Sequence, residues 1–256
     1  MNPTGVAKRI RHNWARGIVL GLGGWRRCPV CRGLGLPIRA SWMHAHLRCR
    51  RCDLIYVADL PSRENLVAAY QRVHLDPYQV QHKQQWQAWM QHKELTLDRL
   101  RIAAPAGSRR ALDVGCGEGR MMLVLRQRGW EVEGLELNDV LARQARELGL
   151  NVTTTAVEHA SPAGRYQLIT MSHLLEHVRQ PLQVLRQVHR WIEPGGLLVL
   201  ETPLSPDFDN IDHLYCFSPA ALILALQRTG FAPHRFFDYV DDNYHHHNLA
   251  CVAHRM

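Results

Sequence analysis

Residues 111–119 have the sequence Ala-Leu-Asp-Val-Gly-Cys-Gly-Glu-Gly, and residues 130–136 have the sequence Trp-Glu-Val-Glu-Gly-Leu-Glu. The first stretch predicts an apolar strand that ends in a glycine-rich turn, and the second predicts another strand that ends in an acid. Glycine allows a ligand to touch the backbone, and an acid at the tip of the second strand would face a ribose. The two stretches therefore predict a crossover that binds a nucleotide.

The spacing of the glycines distinguishes between two nucleotide cofactors. A dinucleotide-binding turn of the form G-x-G-x-x-G would need a glycine at position 120, where this chain has Arg120. The turn here is G-x-G-x-G, and it follows an acid, Asp113, at the end of the first strand. This pattern favours S-adenosylmethionine over a nicotinamide dinucleotide.

These motifs resemble those of the class I S-adenosylmethionine-dependent methyltransferases, in which an acid precedes G-x-G-x-G and a second acid follows strand two. Residues 166–178, Tyr-Gln-Leu-Ile-Thr-Met-Ser-His-Leu-Leu-Glu-His-Val, resemble the fourth strand and following loop of the members that carry an LEH segment. Residues 191–202 resemble the helix end, the Pro-Gly-Gly turn and the fifth strand of the same family. The resemblance covers residues 108–256 and implies an α/β, Rossmann-like fold with a mostly parallel seven-stranded sheet.

The resemblance also implies a set of residues that bind S-adenosylmethionine. They lie in the glycine-rich turn, at the acid after the second strand, after the third strand and at the end of the fourth. Cys116 is a small residue inside the turn, and Glu136 is expected to accept hydrogen bonds from both ribose hydroxyls. The full set is Asp113, Gly115, Cys116, Gly117, Gly119, Glu136, Leu137, Val157 and Ser172.

Four cysteines form a second motif near the start of the chain. Cys28 and Cys31 form one C-x-x-C pair, and Cys49 and Cys52 form another, with 17 residues between the pairs. Two such pairs can fill a tetrahedral zinc site, so the spacing predicts a zinc ribbon that binds a structural zinc ion. The alternative is a set of unpaired buried thiols. The ribbon resembles an N-terminal zinc module of methyltransferases in polysaccharide and secondary-metabolite pathways.

Length and composition fit a catalytic domain with a small accessory part, since the chain has 256 residues and 46% hydrophobic residues. The apolar runs are too short to span a membrane and no convincing signal peptide is present, so we expect a cytoplasmic protein. The predicted segments are a basic N-terminal segment (1–27), the zinc ribbon (28–60), a helical linker and cofactor lid (61–107), and the methyltransferase domain (108–256).

Basic charge is concentrated in the first 60 residues, which contain 11 Lys and Arg but only two acids, for a net charge of +9. The whole chain carries +8, so the remainder carries −1. A basic ribbon can bind the phosphates of a small-molecule acceptor, a nucleic acid or an anionic membrane surface. Residues 6–20 also have the pattern of a basic amphipathic helix, which could contact a membrane peripherally; a frayed terminus and a docked helix are the alternatives for this segment. The alternative is an ordinary arginine-rich surface.

Two segments are predicted to cover the cofactor. A helix from Gln84 to about Ala103 precedes the first strand, a position that often covers the cofactor in this family. Residues 203–218 contain too many helix breakers for a helix and are long for a simple connection, so we expect a substrate lid. Ser218 and Pro219 then predict a helix start, with serine as N-cap.

Three histidines are candidates for acid–base catalysis: His173, His177 and His213. In ubiquinone-pathway O-methyltransferases and small-RNA 2′-O-methyltransferases, the segment that corresponds to residues 173–177 is E-x-x-E-H and binds a divalent ion. Here His173 replaces the first acid, which favours zinc or manganese over magnesium if an ion binds. His213 could complete such a site. A general-base histidine and a structural role for Glu176 and His177 are the alternatives.

The expected activity is transfer of a methyl group from S-adenosylmethionine to an oxygen or carbon of a small molecule. A sugar, a lipid-linked glycan or a natural-product intermediate is the expected acceptor, and the basic ribbon favours one that carries phosphate. One alternative is an RNA methyltransferase whose zinc ribbon binds phosphates. Another is a non-catalytic adaptor that binds the cofactor without turnover.

Overall fold

The computed structural model describes residues 26–40, 45–73, 86–103, 109–208, 210, 212–240 and 247–256. Nearly all of the predicted basic segment, including the predicted helix of residues 6–20, lies outside these described residues. None of the helices in the described ranges is both long and apolar enough to cross a membrane.

The cysteine-rich part, residues 28–60, is called the cysteine module below. It contains three strands, β1 (Gly35–Ala40), β2 (Ala45–Cys49) and β3 (Ile55–Val57), and adjacent strands are antiparallel. Two helices follow, α1 (Arg63–Val73) and α2 (Trp86–Arg99), both within the predicted helical linker of residues 61–107. Buried Leu97 and Leu100 pack α2 and the residue that follows it against the main domain.

Alternating strands and helices form the main domain. They are β4 (Arg110–Val114), α3 (Arg120–Gln127), β5 (Glu131–Glu136), α4 (Asp139–Glu147), β6 (Asn151–Thr154), β7 (Tyr166–Ser172), α5 (Pro181–Trp191), β8 (Ile192–Pro203), β9 (Tyr215–Cys216), α6 (Pro219–Gln227), β10 (Phe231–Val240) and β11 (His247–Arg255). Seven of these strands form one sheet in the order β10-β11-β8-β7-β4-β5-β6. Strands β4 to β8 are parallel and β11 is antiparallel to its two neighbours. The predicted Rossmann-like, mostly parallel sheet is confirmed.

The order of the strands determines where a ligand can bind. From β4 the chain moves outward to β5 and β6, and it then returns to the other side of β4 to form β7 and β8. The carboxyl ends of β4 and β7 therefore lie side by side where the direction of winding changes, with Asp113 opposite Thr170. Such switch points leave a crevice in which α/β proteins bind ligands.

The segment predicted as a substrate lid joins the main domain to the cysteine module. Its strand β9 pairs with β3, so that Tyr56 lies opposite Tyr215, and it completes a four-stranded sheet in the order β1-β2-β3-β9. The amide of Val57 also donates to the carbonyl of Leu214 at 3.1 Å. Two-stranded pairings alone are marginal, but here buried Tyr56 and Phe217 belong to one continuous apolar core.

Ser218 has a role at both sides of this junction. Its hydroxyl donates to the carbonyl of Cys52 at 2.9 Å and accepts from the amide of Ala221 at 3.1 Å, as the N-cap of α6. Pro219 occupies the first turn, as the sequence predicts. The cysteine module and the main domain, which the predicted boundary near residue 60 divides in sequence, therefore share hydrogen bonds and one apolar core.

Candidate active site

A cavity of about 230 Å³ lies at the carboxyl ends of the central strands. Four of the predicted cofactor residues line it: Gly115, Glu136, Leu137 and Val157. Helix α1 covers the cavity with Arg63, Leu66, Val67 and Tyr70. The remaining side is lined by residues in and next to the LEH segment and by one residue of the predicted lid; they include Leu174, His177, Arg179 and Asp212.

The helix that covers this cavity is not the one that the sequence indicated. We expected the helix at 84–103 to cover the cofactor, but none of the described residues of α2 lines the cavity. Instead, Leu97 of α2 belongs to a separate buried apolar cluster that also contains Met121 and Val124 of α3. Helix α1 takes the covering position because Leu66, Val67 and Tyr70 recur at helical spacing on one face.

Two glycines of the turn have different physical roles. Gly117 has φ +55°, and a Cβ built there would meet no atom within 4 Å, so the backbone borders open space that a ligand can occupy. Gly119 has φ +88°, and its Cβ would lie 2.3 Å from Leu150 Cδ1. A side chain at Gly119 would therefore displace Leu150, which lies between α4 and β6, and would also strain the left-handed backbone.

Glu136 is the last residue of β5 and is buried. Its carboxylate accepts from the amides of Asn138 at 2.7 Å and Gly117 at 2.8 Å, and from the hydroxyl of Tyr70 at 3.2 Å. Burial raises the pKa of Glu136, while the two amides and the hydroxyl oppose that shift. The acid thus connects the glycine-rich turn, the start of α4 and the covering helix.

Asp113 and Ser172 lie on strands beside the cavity without lining it. Burial raises the pKa of Asp113 to about 6, although the hydroxyl of Thr170 donates to it at 2.6 Å and opposes the shift. Ser172 donates to Glu201 Oε2 at 2.6 Å. The side chains of Asp113 and Ser172 are thus hydrogen-bonded to residues of neighbouring strands. Cys116 is also buried, and its sulfur packs against Gly134.

The LEH segment gathers charged and titratable groups around one buried carboxylate. Glu176 is fully buried, and its Oε1 lies 3.3 Å from His173 Nδ1 and 3.9 Å from His177 Nε2. Burial opposes the charge, but the adjacent His173 and the positive charges of the histidines lower the pKa of Glu176 to about 2. Only His177 of the three candidate histidines lines the cavity.

His213 joins this cluster from the predicted lid. Its ring lies 4.8 Å from the ring of His177, and burial followed by the charge of His177 lowers the pKa of His213. One ligand atom each from Glu176, His177 and His213 lie within 4.8 Å of one another. A carboxylate and two imidazoles at this separation can hold a divalent transition metal, whereas His173 points its Nδ1 at Glu176 Oε1 from 3.3 Å.

The backbone fixes the position of His177 relative to the lid. His177 Nδ1 lies 3.1 Å from the carbonyl oxygen of Asp212, and the amide of Leu214 donates to the carbonyl of Glu176 at 2.8 Å. If Nδ1 carries the proton and donates to that carbonyl, Nε2 is left as the basic nitrogen. The arrangement can therefore present a hydrogen-bond-oriented base to the cavity.

A second buried carboxylate holds α2 onto the sheet. Glu201 of β8 accepts from Lys93 and Thr96 of α2, from Ser172 of β7 and from Tyr239 of β10. Burial opposes its ionisation, but the charge of Lys93 keeps the pKa of Glu201 well below its usual range. The carbonyl of Glu201 also accepts from the amide of His173, which has φ +51°. This cluster fixes the turn after β7.

The cavity residues that sequence reasoning missed include Tyr70, Asp212 and Arg179. Each reaches the cavity through tertiary contacts that no local motif encodes. The only available signal was position, because Asp212 precedes the candidate base His213 and Arg179 follows the LEH segment.

The four cysteines of the cysteine module are buried and their sulfurs lie together. Cys31 and Cys49 Sγ are 3.3 Å apart, Cys28 and Cys52 Sγ are 3.6 Å apart, and all four lie within 4.8 Å of one another. Zinc–sulfur bonds of about 2.3 Å in a tetrahedron place the sulfurs about 3.8 Å apart, so this cluster fits the ion. The hydrogen bond between Cys28 and Cys52 lowers the pKa of Cys28 to about 5 and raises that of Cys52, so the pair favours a single thiolate, and a zinc ion would displace the proton of the other thiol on binding.

The two cysteine pairs have the same backbone geometry. The amide of Arg32 donates to the carbonyl of Cys28 at 2.9 Å, and the amide of Asp53 donates to that of Cys49 at 3.0 Å. Arg32 has φ +64° and Asp53 has φ +63°. These left-handed residues turn the chain immediately after the second cysteine of each pair.

A family profile described as "Methyltransferase domain" matches residues 80–235, which is more than half of the chain. The matched region contains the glycine-rich turn, Glu136 and the LEH segment. The chain belongs to this methyltransferase family. The family assignment agrees with the cavity at the carboxyl ends of the parallel strands, where the predicted cofactor residues Gly115, Glu136, Leu137 and Val157 meet.

Among curated proteins, this methyltransferase-family chain is similar to ubiquinone biosynthesis O-methyltransferases. It is 32% identical over 108 residues to the protein of Pseudomonas aeruginosa (strain LESB58), a match that covers 39% of this chain and 46% of the relative. It is 35% identical over 112 residues to the protein of Escherichia fergusonii, with 40% and 47% covered. The matches span less than half the length of these curated relatives.

Solved structures share the fold. A 1,6-didemethyltoxoflavin-N1-methyltransferase of Burkholderia thailandensis with bound S-adenosylhomocysteine has a TM-score of 0.62 and 17% identity, with 86% of this chain and 99% of that chain covered. Magnesium protoporphyrin IX methyltransferase of Synechocystis PCC 6803 with the same bound compound has a TM-score of 0.62 and 14% identity, with 76% and 100% covered. At these identities the likeness concerns the fold.

Proposed function

We propose that this protein transfers the methyl group of S-adenosylmethionine to an oxygen or carbon atom of a small molecule. The observation that carries the proposal is the cavity in which Gly115, Glu136, Leu137 and Val157 lie together at the carboxyl ends of parallel strands. These ends are where α/β proteins bind nucleotide ligands. The curated relatives and the ligand-bound methyltransferases of similar fold support the choice of cofactor.

The residues of the cavity fit the parts of this cofactor. A carboxylate suits two ribose hydroxyls, and Glu136 supplies one at the end of β5. Leu137 and Val157 offer apolar contact for an adenine ring, and Gly117 borders space that a side chain would otherwise fill. The bound cofactor would supply an electrophilic methyl group on a sulfonium with a good leaving group. The protein must then mainly exclude water and align the acceptor.

His177 is proposed as the general base for an acceptor hydroxyl. It is the candidate histidine that lines the cavity, and its Nδ1 lies 3.1 Å from the carbonyl oxygen of Asp212. In this role Nε2 removes the acceptor proton as the new bond to the methyl carbon forms. Glu176 stabilises the resulting imidazolium from 3.9 Å. O-Methylation agrees with the names of the curated relatives, which are ubiquinone biosynthesis O-methyltransferases.

Cys28, Cys31, Cys49 and Cys52 are proposed to bind one structural zinc ion. Four protein ligands fill a tetrahedral shell, so the ion would have no open position for catalysis. Its expected role is to hold β1, β2 and β3 together, since a segment of this size has too small a core to fold alone.

The proposed cofactor is tested by isothermal titration calorimetry with S-adenosylhomocysteine. We expect one binding site per chain in the unmodified protein, and NAD should not compete. Binding of NAD in preference to S-adenosylhomocysteine, or no binding of either, would overturn the proposal. Turnover is then followed by mass spectrometry, with candidate acceptors that gain 14 mass units for each added methyl in place of hydrogen; cofactor binding without turnover on the physiological acceptor would favour the adaptor alternative.

A further inference from the structure

An arginine-lined groove lies beside the candidate active site. It has a volume of about 750 Å³, in the range of small-molecule sites. The cysteine module contributes one wall, and the start of α5 with the end of α6 contributes the other. Among the residues that the structure describes, the groove is lined by six arginines and by no acidic residue; the arginines are Arg26, Arg27, Arg32, Arg179, Arg186 and Arg228.

The positive charge of this groove is not balanced by ion pairs within the described residues. None of the six guanidinium groups has a carboxylate of a described residue within 4 Å, in contrast to Arg110, Arg120 and Arg128, which pair with acids. Arg179 Nε is buried without a hydrogen-bond acceptor among the described residues. Buried donors normally have an acceptor, so the groove has the donors and charge of an anion site.

One arginine is held in place by the aromatic residues of the junction. Arg26 lies 5.7 Å from the ring centre of Tyr56 and 5.4 Å from that of Tyr215, and it donates to the Tyr215 hydroxyl at 2.6 Å. Stacking of this kind fixes a guanidinium and lowers the entropy lost when it binds an anion. Because Tyr215 belongs to β9, pairing of β9 with β3 places Arg26 at the groove.

The groove and the cavity are adjacent and share three lining residues. Arg179, Gln180 and Gln183 line both, and they form the connection between the LEH segment and the first turn of α5. A ligand that binds its anionic end between the arginines can therefore extend along α5 into the cavity lined by His177.

We propose that this groove binds the phosphate or diphosphate group of the methyl acceptor, an inference that rests on the proposed function. Arginine is suited to this chemistry because its planar fork donates two parallel hydrogen bonds to phosphate oxygens. The acceptor is then a phosphate ester, such as a nucleoside diphosphate sugar or a diphosphate-linked lipid. Its anionic end binds at the cysteine module, and its methyl-accepting end reaches the cavity.

The test measures the binding of inorganic diphosphate, uridine diphosphate and farnesyl diphosphate to the full-length chain by calorimetry at 100 mM NaCl. The variant Arg186→Gln/Arg228→Gln removes two arginines that line the groove but not the cavity. The control Arg165→Gln/Arg190→Gln removes the same charge from two exposed arginines outside the groove, one of them on α5. Both variants are also titrated with S-adenosylhomocysteine.

We expect the unmodified protein to bind uridine diphosphate or farnesyl diphosphate with a dissociation constant at or below about 1 mM, and the groove variant to bind it at least about tenfold more weakly. The control should stay within about twofold of the unmodified protein. A stronger response to one of the two probes identifies the nucleotide or the lipid as the source of the diphosphate.

Equal weakening in groove variant and control, or no binding of any diphosphate, would overturn the proposal. Binding of a single-stranded RNA that is weakened only in the groove variant, without binding of the diphosphates, would replace it with a nucleic-acid site. Binding of S-adenosylhomocysteine separates these results from a failure of the proposed function, because the groove variant retains every residue that lines the cavity. Loss of that binding in the groove variant alone would mean that the substitutions disturb the fold and contradict a separate groove site.

Discussion

The hydroxyl of Tyr70 on α1 donates to Glu136 Oε1 at 3.2 Å, and this bond connects the covering helix to the acid at the end of β5. Burial, followed by the charge of Glu136, raises the pKa of Tyr70 well above its usual value, so the phenol remains a donor at neutral pH. The same carboxylate accepts two backbone amides. A ribose would have to share Glu136 with Tyr70.

Replacing Glu136 with alanine should weaken binding of S-adenosylhomocysteine by about 1.5–3 kcal/mol, because hydrogen bonds to a charged group have that strength. Calorimetry gives the affinity directly. Glu131→Ala is the matched control, since Glu131 is an exposed acid at the other end of the same strand. The expectation fails if both variants bind S-adenosylhomocysteine as the unmodified protein does.

Much of this region could be predicted from local sequence. A strand, a glycine-rich turn and a strand that ends in an acid specify their own backbone, so β4, β5 and the position of Glu136 followed from spacing. Ser218 and Pro219 likewise specified the start of α6, because capping depends on neighbouring residues.

The rest depends on contacts between distant parts of the chain. Strand β9 has only two residues, and no local pattern indicates that it pairs with β3. Ser172 was predicted from its place at the end of β7, but its hydroxyl binds Glu201. The choice of α1 over α2 as the cover is also set by tertiary packing, since both segments are helical and amphipathic in sequence.

Purified protein should contain about one zinc ion per chain, and Cys49→Ser should remove most of it, since a structural site needs all four thiolates. Metal analysis by mass spectrometry gives the stoichiometry. Because β9 pairs with β3, we also expect the variant to lose order around His213 and to lose turnover. Cys251→Ser alters a buried cysteine on β11 and should leave the zinc content unchanged. Zinc-free protein that resists proteolysis within residues 28–52 would contradict the site.

Activity should rise with pH through roughly 6 to 7, because a histidine base must be neutral to accept a proton. His177→Ala should remove most turnover and spare cofactor affinity. Burial and the charge of His177 lower the pKa of His213, so a base at His213 would place the rise at a lower pH than a histidine with the ordinary pKa would. His234→Ala changes an exposed histidine on β10 and serves as the control. Near-normal turnover in His173→Ala, His177→Ala and His213→Ala alike would attribute catalysis to alignment alone.

Removal of metal distinguishes a base from a catalytic ion at Glu176, His177 and His213. A chelator that abolishes activity while the zinc content stays at one ion per chain indicates a second, catalytic ion. Restoration by manganese or zinc would then support it. Unchanged activity after the same treatment supports the metal-free base.

Removing the charge of Lys93 should strongly destabilise the fold. Lys93→Met leaves Glu201 buried without its ammonium partner, and such changes cost about 3–5 kcal/mol in the free energy of unfolding. Lys93→Met/Glu201→Leu should recover much of this loss in urea unfolding. The exposed pair Arg48 and Asp53 is the control, and its removal should change the free energy of unfolding much less. An equal loss in the free energy of unfolding for the two pairs would contradict the stabilising role of the buried Lys93–Glu201 pair.

The pH dependence of this contribution has a defined sign. The pKa of Glu201 is depressed in the folded protein, so its stabilisation is present above the ordinary pKa of glutamate. It should be lost as pH falls through the folded-state pKa. Acid unfolding of the unmodified protein should therefore show a steeper pH dependence than that of Lys93→Met/Glu201→Leu.

Ser218 donates to the carbonyl of Cys52 across 166 positions of the chain, and β9 joins the cysteine module nearby. On a ribosome, the cysteines emerge long before the strand that completes their sheet, by roughly 10 to 30 s at ordinary rates of synthesis. During that interval the edge of β3 lacks its partner strand and is available for pairing with other chains. Early capture of a metal ion would shorten the exposure of the unfinished module, so the supply of zinc during translation should affect the yield of soluble protein.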